Sequence, residues 1–187
     1  MPNEIEAKMK VEDFDRVRDA LTKAGAARIG SVLETNTFFD SAEKNLVAKD
    51  TGLRLRRTRD DDTGAERFII TVKGPQQGGD LKNRPEAEVV VENGDDARAV
   101  LEALGYTPTL SFEKRRESWK LDDARIELDE LPVLGRFIEI EAPSEQSVMA
   151  VRRKLGFCDA PLIKTGYATM LARDLRETRD ASRFIHF

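Results

Sequence analysis

The chain has 187 residues, 40% hydrophobic and 35% charged, with 31 basic against 35 acidic side chains and a formal charge of −4. That length can bury a sizeable core, and the charge balance argues against a general nucleic-acid binder, which is usually basic as a whole, while leaving room for a local cationic site. A single cysteine, Cys158, rules out an internal disulfide or a cysteine zinc site, and a single histidine, His186, next to the end, speaks against His triads and His-rich metal centres.

The opening stretch, taken with a period of two, puts Ile5, Ala7 and Met9 on one face of a strand and Glu4, Glu6, Lys8 and Lys10 on the other. Phe14, Val17, Leu21 and Ala24 then recur at helical spacing, with Gly25 as a stop signal. Residues 28–39, rich in Val, Thr and Phe, predict a second strand, and 40–52 a polar connection. Residues 53–56 alternate as a strand. Asp60-Asp61-Asp62-Thr63-Gly64 is a solvated hairpin tip leading to another strand over 67–73.

Residues 74–83, with Pro75, Gly78 and Gly79, predict a mobile loop and not a P-loop, since no Gly-Lys-Ser/Thr follows. A strand over 84–92 precedes a helix over 95–104 that stops at Gly105. Three strands follow over 110–121, 124–131 and 136–142. Pro143-Ser144 starts a helix ending at Gly156, and a last helix begins near Thr165, carrying Tyr167, Met170, Leu171 and Leu175. Eight strands joined mostly by short turns favour an antiparallel α+β design. One domain over 1–187 is expected. No apolar run approaches the roughly 20 residues of a membrane helix and no signal peptide is seen, so a cytoplasmic protein without a membrane partner is expected.

The charged faces share a habit. Glu4/Glu6, Glu86/Glu88, Glu127/Asp129 and Glu139/Glu141 pair like with like, as do Arg54/Arg56 and Lys114/Arg116, and Thr71 and Lys73 share a face in the same way. A sheet face turned to water is the common antiparallel design, but such a face normally mixes Thr, Ser, Gln, Lys and Glu. If the sheet closes into a barrel, these faces line its interior and the apolar faces pack outward under the helices. Clustered carboxylates then ask for a hard divalent cation, Mg²⁺ or Mn²⁺, and clustered Arg and Lys for an anion such as phosphate. A metal-bound polyphosphate meets both demands.

Glu4-Ile5-Glu6-Ala7-Lys8 resembles the Glu-x-Glu-x-Lys signature of the CYTH family, the triphosphate tunnel metalloenzymes. Leu53-Arg54-Leu55-Arg56, Thr71-Val72-Lys73-Gly74-Pro75, Arg84-Pro85-Glu86-Ala87-Glu88, Glu113-Lys114-Arg115-Arg116 and Leu134-Gly135-Arg136-Phe137-Ile138-Glu139-Ile140-Glu141 resemble its successive strand motifs, in order. Thr165-Gly166-Tyr167 resembles its closing motif. The resemblance spans nearly the whole chain and implies a closed eight-stranded antiparallel β-barrel, a tunnel with helices packed on the outside, that binds triphosphate with Mg²⁺ or Mn²⁺. By motif position, Glu4, Glu6, Asp129, Glu139 and Glu141 would face metal. Lys8, Arg54, Arg56, Lys73, Arg84, Lys114, Arg116 and Lys164 would hold phosphate oxygens, and Glu6, Lys8 and Glu139 would be the catalytic core. Glu86 and Glu88 would bind metal or orient neighbouring Arg side chains.

The stretch from Leu104-Gly105-Tyr106 through Phe112-Glu113-Lys114 to Leu131 and Gly135 resembles the class IV adenylyl cyclase branch. That branch implies conversion of ATP to cyclic AMP and pyrophosphate. Hydrolysis of tripolyphosphate, a nucleoside triphosphate or thiamine triphosphate is the competing reaction, and a binding module without turnover is a third reading. The family also suggests a homodimer. Other conspicuous residues carry structural expectations: Trp119 as packing, Tyr167 at the tunnel mouth or a helix–barrel contact, Cys158 as a small buried residue, and Arg152, Arg153 and Lys154 as a solvated helix face.

Overall fold

The structure, a computed structural model, describes residues 3–178 and 183–187. Its strands fall where the sequence alternates with period two. In chain order the elements are β1 (Asn3–Val11), α1 (Phe14–Lys23), β2 (Ala27–Asp40), α2 (Asn45–Ala48), β3 (Gly52–Asp60), β4 (Glu66–Lys73), β5 (Lys82–Val91) and α3 (Gly94–Ala103). Then come β6 (Thr107–Leu121), β7 (Ala124–Leu131), β8 (Gly135–Glu141), α4 (Glu145–Lys154), α5 (Tyr167–Glu177) and β9 (Phe184–Ile185).

Hydrogen-bonded neighbours run β2-β3-β4-β5-β1-β8-β7-β6, each pair antiparallel. β2 also pairs β6, from Ala27↔Lys120 to Asp40↔Thr107, and this long seam closes the ring into an eight-stranded barrel. The two-residue β9 adds to β6 in parallel, outside the ring.

Alternation along each strand decides which residues point where. On the outer face Ala7, Met9, Ile126, Leu128, Ile138 and Ile140 pack under α1 and α4 through Val17, Leu21, Val148 and Val151. Leu53 and Leu55 pack under α3 through Ala97 and Leu101. Most of the apolar core therefore lies outside the barrel wall, between sheet and helices. Side-chain caps start the helices that hold it. Asp13 accepts from the Asp15 N–H, Asn93 from Asp95 and Asp96, and Ser144 from Ser147. Gly25 (φ +81°) and Gly105 (φ +88°) end α1 and α3 in the left-handed region, as their stop signals predict.

α5 is placed differently. Tyr167 and Leu171 pack on Leu110, Phe112, Leu131 and Phe137, which share strand parity with the inward charges. The helix thus closes over one end of the barrel, and Ile185 of β9 joins the same cluster.

Several local expectations are corrected. The polar connection over 40–52 contains the one-turn α2, capped by Asp40, whose carboxylate accepts from the Leu46 and Val47 N–H groups. The glycine-rich segment expected to be mobile is tied down: Gly74 and Gln77 donate backbone bonds to Pro85 and Asn83, and Leu81 is buried. Arg152 is buried, not solvated, donating to the Phe157, Cys158 and Ala160 carbonyls as the chain turns back past the helix end. Cys158 in that turn is exposed. Trp119 packs in the core as expected, and its indole N–H donates to Glu117. Among the described residues no helix is long and apolar enough to cross a membrane.

Candidate active site

The inward faces enclose two cavities of about 470 and about 660 Å³ that share Glu4, Arg54, Arg56, Lys73 and Arg116 as walls. They are the two halves of one charged tunnel. The first opens beside α5 and the 40–52 segment, the second at the opposite end beside Thr58, Arg67, Arg125 and Glu141.

Ion pairs run from strand to strand around the wall. Lys82 (β5) meets Glu6 (β1) at 2.8 Å, and Lys8 (β1) meets Glu6 at 3.5 Å and Glu139 (β8) at 3.1 Å. Arg116 (β6) donates to Glu139 at 2.6 Å and, through Nε and Nη2, to both oxygens of Asp129 (β7). Lys114 (β6) lies 3.1 Å from Asp129 and 3.2 Å from Glu34 (β2), and Arg56 (β3) lies 3.3 Å from Glu34. Arg56 Nε also donates to Asn36. Arg54 (β3) donates to Thr71 (β4), which in turn bonds Glu88 (β5). Lys73 (β4) joins Glu4 and Glu86. All eight barrel strands contribute.

The site residues named from the sequence divide accordingly. Lys8, Arg54, Arg56, Lys73, Lys114 and Arg116 converge on the tunnel with Glu4, Glu6, Asp129 and Glu139. Glu141 lines the far opening. Arg84 lines the near mouth, where it is paired with Asp50 of the 40–52 segment. Lys164 is apart from them: it is exposed and donates to the Gly79 carbonyl on the rim. Glu86 and Glu88 face Lys73 and Arg54. His186 is far from this set, on the tail beside Glu113.

Three contributors, Glu34, Asn36 and Lys82, carry no clear signal in the sequence. Glu34 is 2% exposed and faces three cations, Arg56, Lys114 and Arg116. Asn36 and Lys82 are buried beside it and beside Glu6. Tyr167, 9% exposed, lays its ring under the Lys8 ammonium at 4.0 Å and the Lys114 ammonium at 5.5 Å. Both readings of Tyr167, mouth and helix contact, are met at once.

Crowded charge shifts the titrating groups. Burial alone would raise Glu34, but Arg56, Lys114 and Arg116 hold it far below the usual carboxylate range. Burial likewise opposes Lys8, Arg116 and Lys114 at Glu139, and the cations win, holding it well below. Burial and the neighbouring Arg56 charge lower Arg54 to about 10. Burial, then Asp129 and Glu139, push the Tyr167 phenol well up, so it stays protonated. Glu141 moves the other way from Glu34 and Glu139: burial and the charges of Glu4 and Glu6 push it up to about 7.

Among the described residues no three carboxylate, His or Cys side chains already converge as a cation cage, because lysines occupy the carboxylates. The donor set nevertheless suits a hard divalent cation. Glu6 Oε1 is buried without a hydrogen bond, its charged neighbour Lys8 Nζ standing off at 3.5 Å, and the raised Glu141 carboxyl reflects the nearby charges of Glu4 and Glu6. Carboxylate oxygens crowded in this way fit Mg²⁺ or Mn²⁺ and not a soft metal.

A closed antiparallel barrel lined by paired Arg/Lys and Glu/Asp clusters defines a charged-tunnel protein. The chain belongs to the CYTH family, whose domain model matches residues 2–167. It is 30% identical over 138 residues, 74% of this chain and 75% of the relative, to a Methanocaldococcus jannaschii protein provisionally named an adenylate cyclase. A solved protein of Pyrococcus horikoshii has the same fold, with a TM-score of 0.80 at 23% identity over 91% of this chain and 99% of that one. A Hippeastrum protein, provisionally called an adenylyl cyclase and described as having a dominant triphosphatase activity, superimposes with a TM-score of 0.72 at 17% identity, covering 93% of this chain and 96% of its own.

Two predictions follow from the electrostatics. Glu34→Gln leaves three buried cations without their shared anion and should lower unfolding free energy by about 3 kcal/mol, measured by denaturant titration; an unchanged midpoint would contradict its role as their counter-charge. Glu141, raised from 4.5 to about 7, contributes stability that is full below about pH 4.5 and lost as pH rises through 7. The fall in melting temperature between pH 5 and 8 should therefore be shallower in Glu141→Gln, and an identical slope would show that its carboxyl is not raised.

Proposed function

We propose that the chain binds a triphosphate with Mg²⁺ or Mn²⁺ inside the tunnel and converts ATP to cyclic AMP and pyrophosphate. The observation that carries the reading is the joint presence, on one tunnel wall, of the phosphate-type cations Lys8, Arg54, Arg56, Lys73, Lys114 and Arg116 and the hard-oxygen donors Glu4, Glu6, Glu139 and Glu141. An anion-binding module without turnover has no use for the second set. Family membership implies dependence on a divalent metal.

In this reading Arg54, Arg56 and Arg116 grip phosphate oxygens with planar guanidinium groups, and Lys73 and Lys114 add point charges. Glu6 and Glu139 hold the cation, with Glu4 and Glu141 beside them; Asp129 keeps Arg116 and Lys114 aimed inward and is a further metal candidate. Lys8, between Glu6 and Glu139, sits where metal and phosphate meet. The bound metal would neutralise phosphate charge and lower the barrier to attack. Cyclisation forms a bond from the ribose 3′-oxygen to the α-phosphorus, breaks the bond to the bridging oxygen, releases pyrophosphate and gives up the 3′-hydroxyl proton. Arg84, released from Asp50, would be a further phosphate contact; Lys164 lies too far out on the rim to be one without movement.

The apolar part of the near cavity, formed by Phe38, Leu110 and Phe112, supports a substrate with an organic group. The M. jannaschii relative's name points the same way. The second reading is hydrolysis, in which water attacks the terminal phosphorus. It is favoured by the opening of both cavities and by the activity described for the Hippeastrum protein.

Incubation with ATP or tripolyphosphate and Mg²⁺ or Mn²⁺, with products identified, tests both readings. Cyclic AMP with pyrophosphate is the expected outcome, orthophosphate supports hydrolysis, and no product under any condition removes both. Glu6→Ala and Glu139→Ala should each cut turnover by at least about 100-fold while the protein stays folded; full activity in either would remove that residue from the metal site.

A further inference from the structure

The Tyr167 side chain is a large polar group in the near cavity whose role the ion-pair ring does not explain. Its ring is well used: it lies beneath the Lys8 and Lys114 ammonium groups and meets Phe137 edge-on, with centroids 5.1 Å apart at 67°. Its hydroxyl is not. The oxygen is buried, the residue is 9% exposed, and no protein group bonds it. A buried hydroxyl without a partner is costly to leave so, and calls for an acceptor that the protein does not provide.

Its surroundings say what that acceptor is. Tyr167 opens α5, an 11-residue helix whose first turn has no side-chain cap, and Gly166, Tyr167, Ala168 and Thr169 all border the cavity. The uncapped end presents the positive pole of the helix to the same space. Lys8 and Lys114 add two ammonium groups. The nearby carboxylates Glu139 and Asp129 are already engaged by Lys8, Lys114 and Arg116. A protonated phenol at a helix N-terminus, with two ammonium groups over its ring and the nearby carboxylates already paired, suits an acceptor oxygen and not a metal ion.

We propose that Tyr167 is a direct substrate ligand, its hydroxyl donating to an oxygen of the triphosphate chain held between Lys8, Lys114 and the N-terminal turn of α5. This rests on the triphosphate reading of the tunnel and adds to it a neutral donor that distinguishes one phosphate position from those bound by charge alone. It also makes α5 part of the binding wall as well as a cover.

Tyr167→Phe removes only the hydroxyl and keeps the ring contacts. Melting temperature without ligand should be unchanged. Calorimetric titration with Mg²⁺-tripolyphosphate and with Mg²⁺-ATP should show about 10-fold weaker binding of both. Equal affinity in variant and unaltered chain would mean that the hydroxyl makes no contact with the triphosphate, and overturn the assignment. Weakening for ATP alone would place the contact on the nucleoside and overturn it too. If the unaltered chain binds neither ligand, the triphosphate reading itself falls, an outcome separate from failure of the Tyr167 contact.

Discussion

Charge enclosed by a barrel wall has to be matched there. In this chain almost every strand sends Arg, Lys, Glu or Asp inward, where an unpaired ion would be several kcal/mol out of balance. The result is a ring of alternating signs, from Lys82 through Glu6, Lys8, Glu139, Arg116, Asp129, Lys114 and Glu34 to Arg56. Strand register makes this possible: Lys8 lies opposite Glu139, and Arg116 opposite Asp129 and next to Glu34 on its other neighbour. A slip of one residue would turn the ring outward and bring the apolar face in. The helices have the complementary task, burying the apolar outer face.

The same pairing explains how such a tunnel can be both stable and receptive. Its carboxylates serve as counter-ions to its own lysines and arginines. In the proposed reading a metal-bound triphosphate would bring both signs at once, so that cations would turn to phosphate oxygens and carboxylates would hold the metal, with no buried charge left alone. Either component by itself would leave half of the ring uncompensated. Long, flexible lysine side chains at Lys8, Lys73 and Lys82 suit that exchange, whereas the Arg116–Asp129 fork is a rigid pair suited to staying in place.

Much of this is written in the alternation. Like-charged pairs on strands β1, β3, β5, β6, β7 and β8 mark the inner wall because a solvated face has no reason to segregate signs, and short turns imply the antiparallel ring. What stays hidden has physical causes. Glu34 stands alone among Thr and Asn, so no pair announces it, although it carries the largest number of cation contacts on β2. Lys82 follows a glycine-rich stretch with no pattern, and only the register with Glu6 brings it inside. Helical spacing around Leu171 shows that α5 buries a face, not that the face closes an end of the barrel. Arg152 looks solvated beside Arg153 and Lys154 until the chain folds back and offers three carbonyls, a contact no local pattern encodes.

The central claim is that a triphosphate enters the charged tunnel together with a divalent cation. Phosphorus-31 NMR of tripolyphosphate, titrated with the protein in Mg²⁺ and then with a trace of Mn²⁺, measures this directly. The account predicts shifted resonances that saturate at one triphosphate per chain and broaden selectively once Mn²⁺ is added. Resonances that stay at their free positions with protein in excess would contradict it.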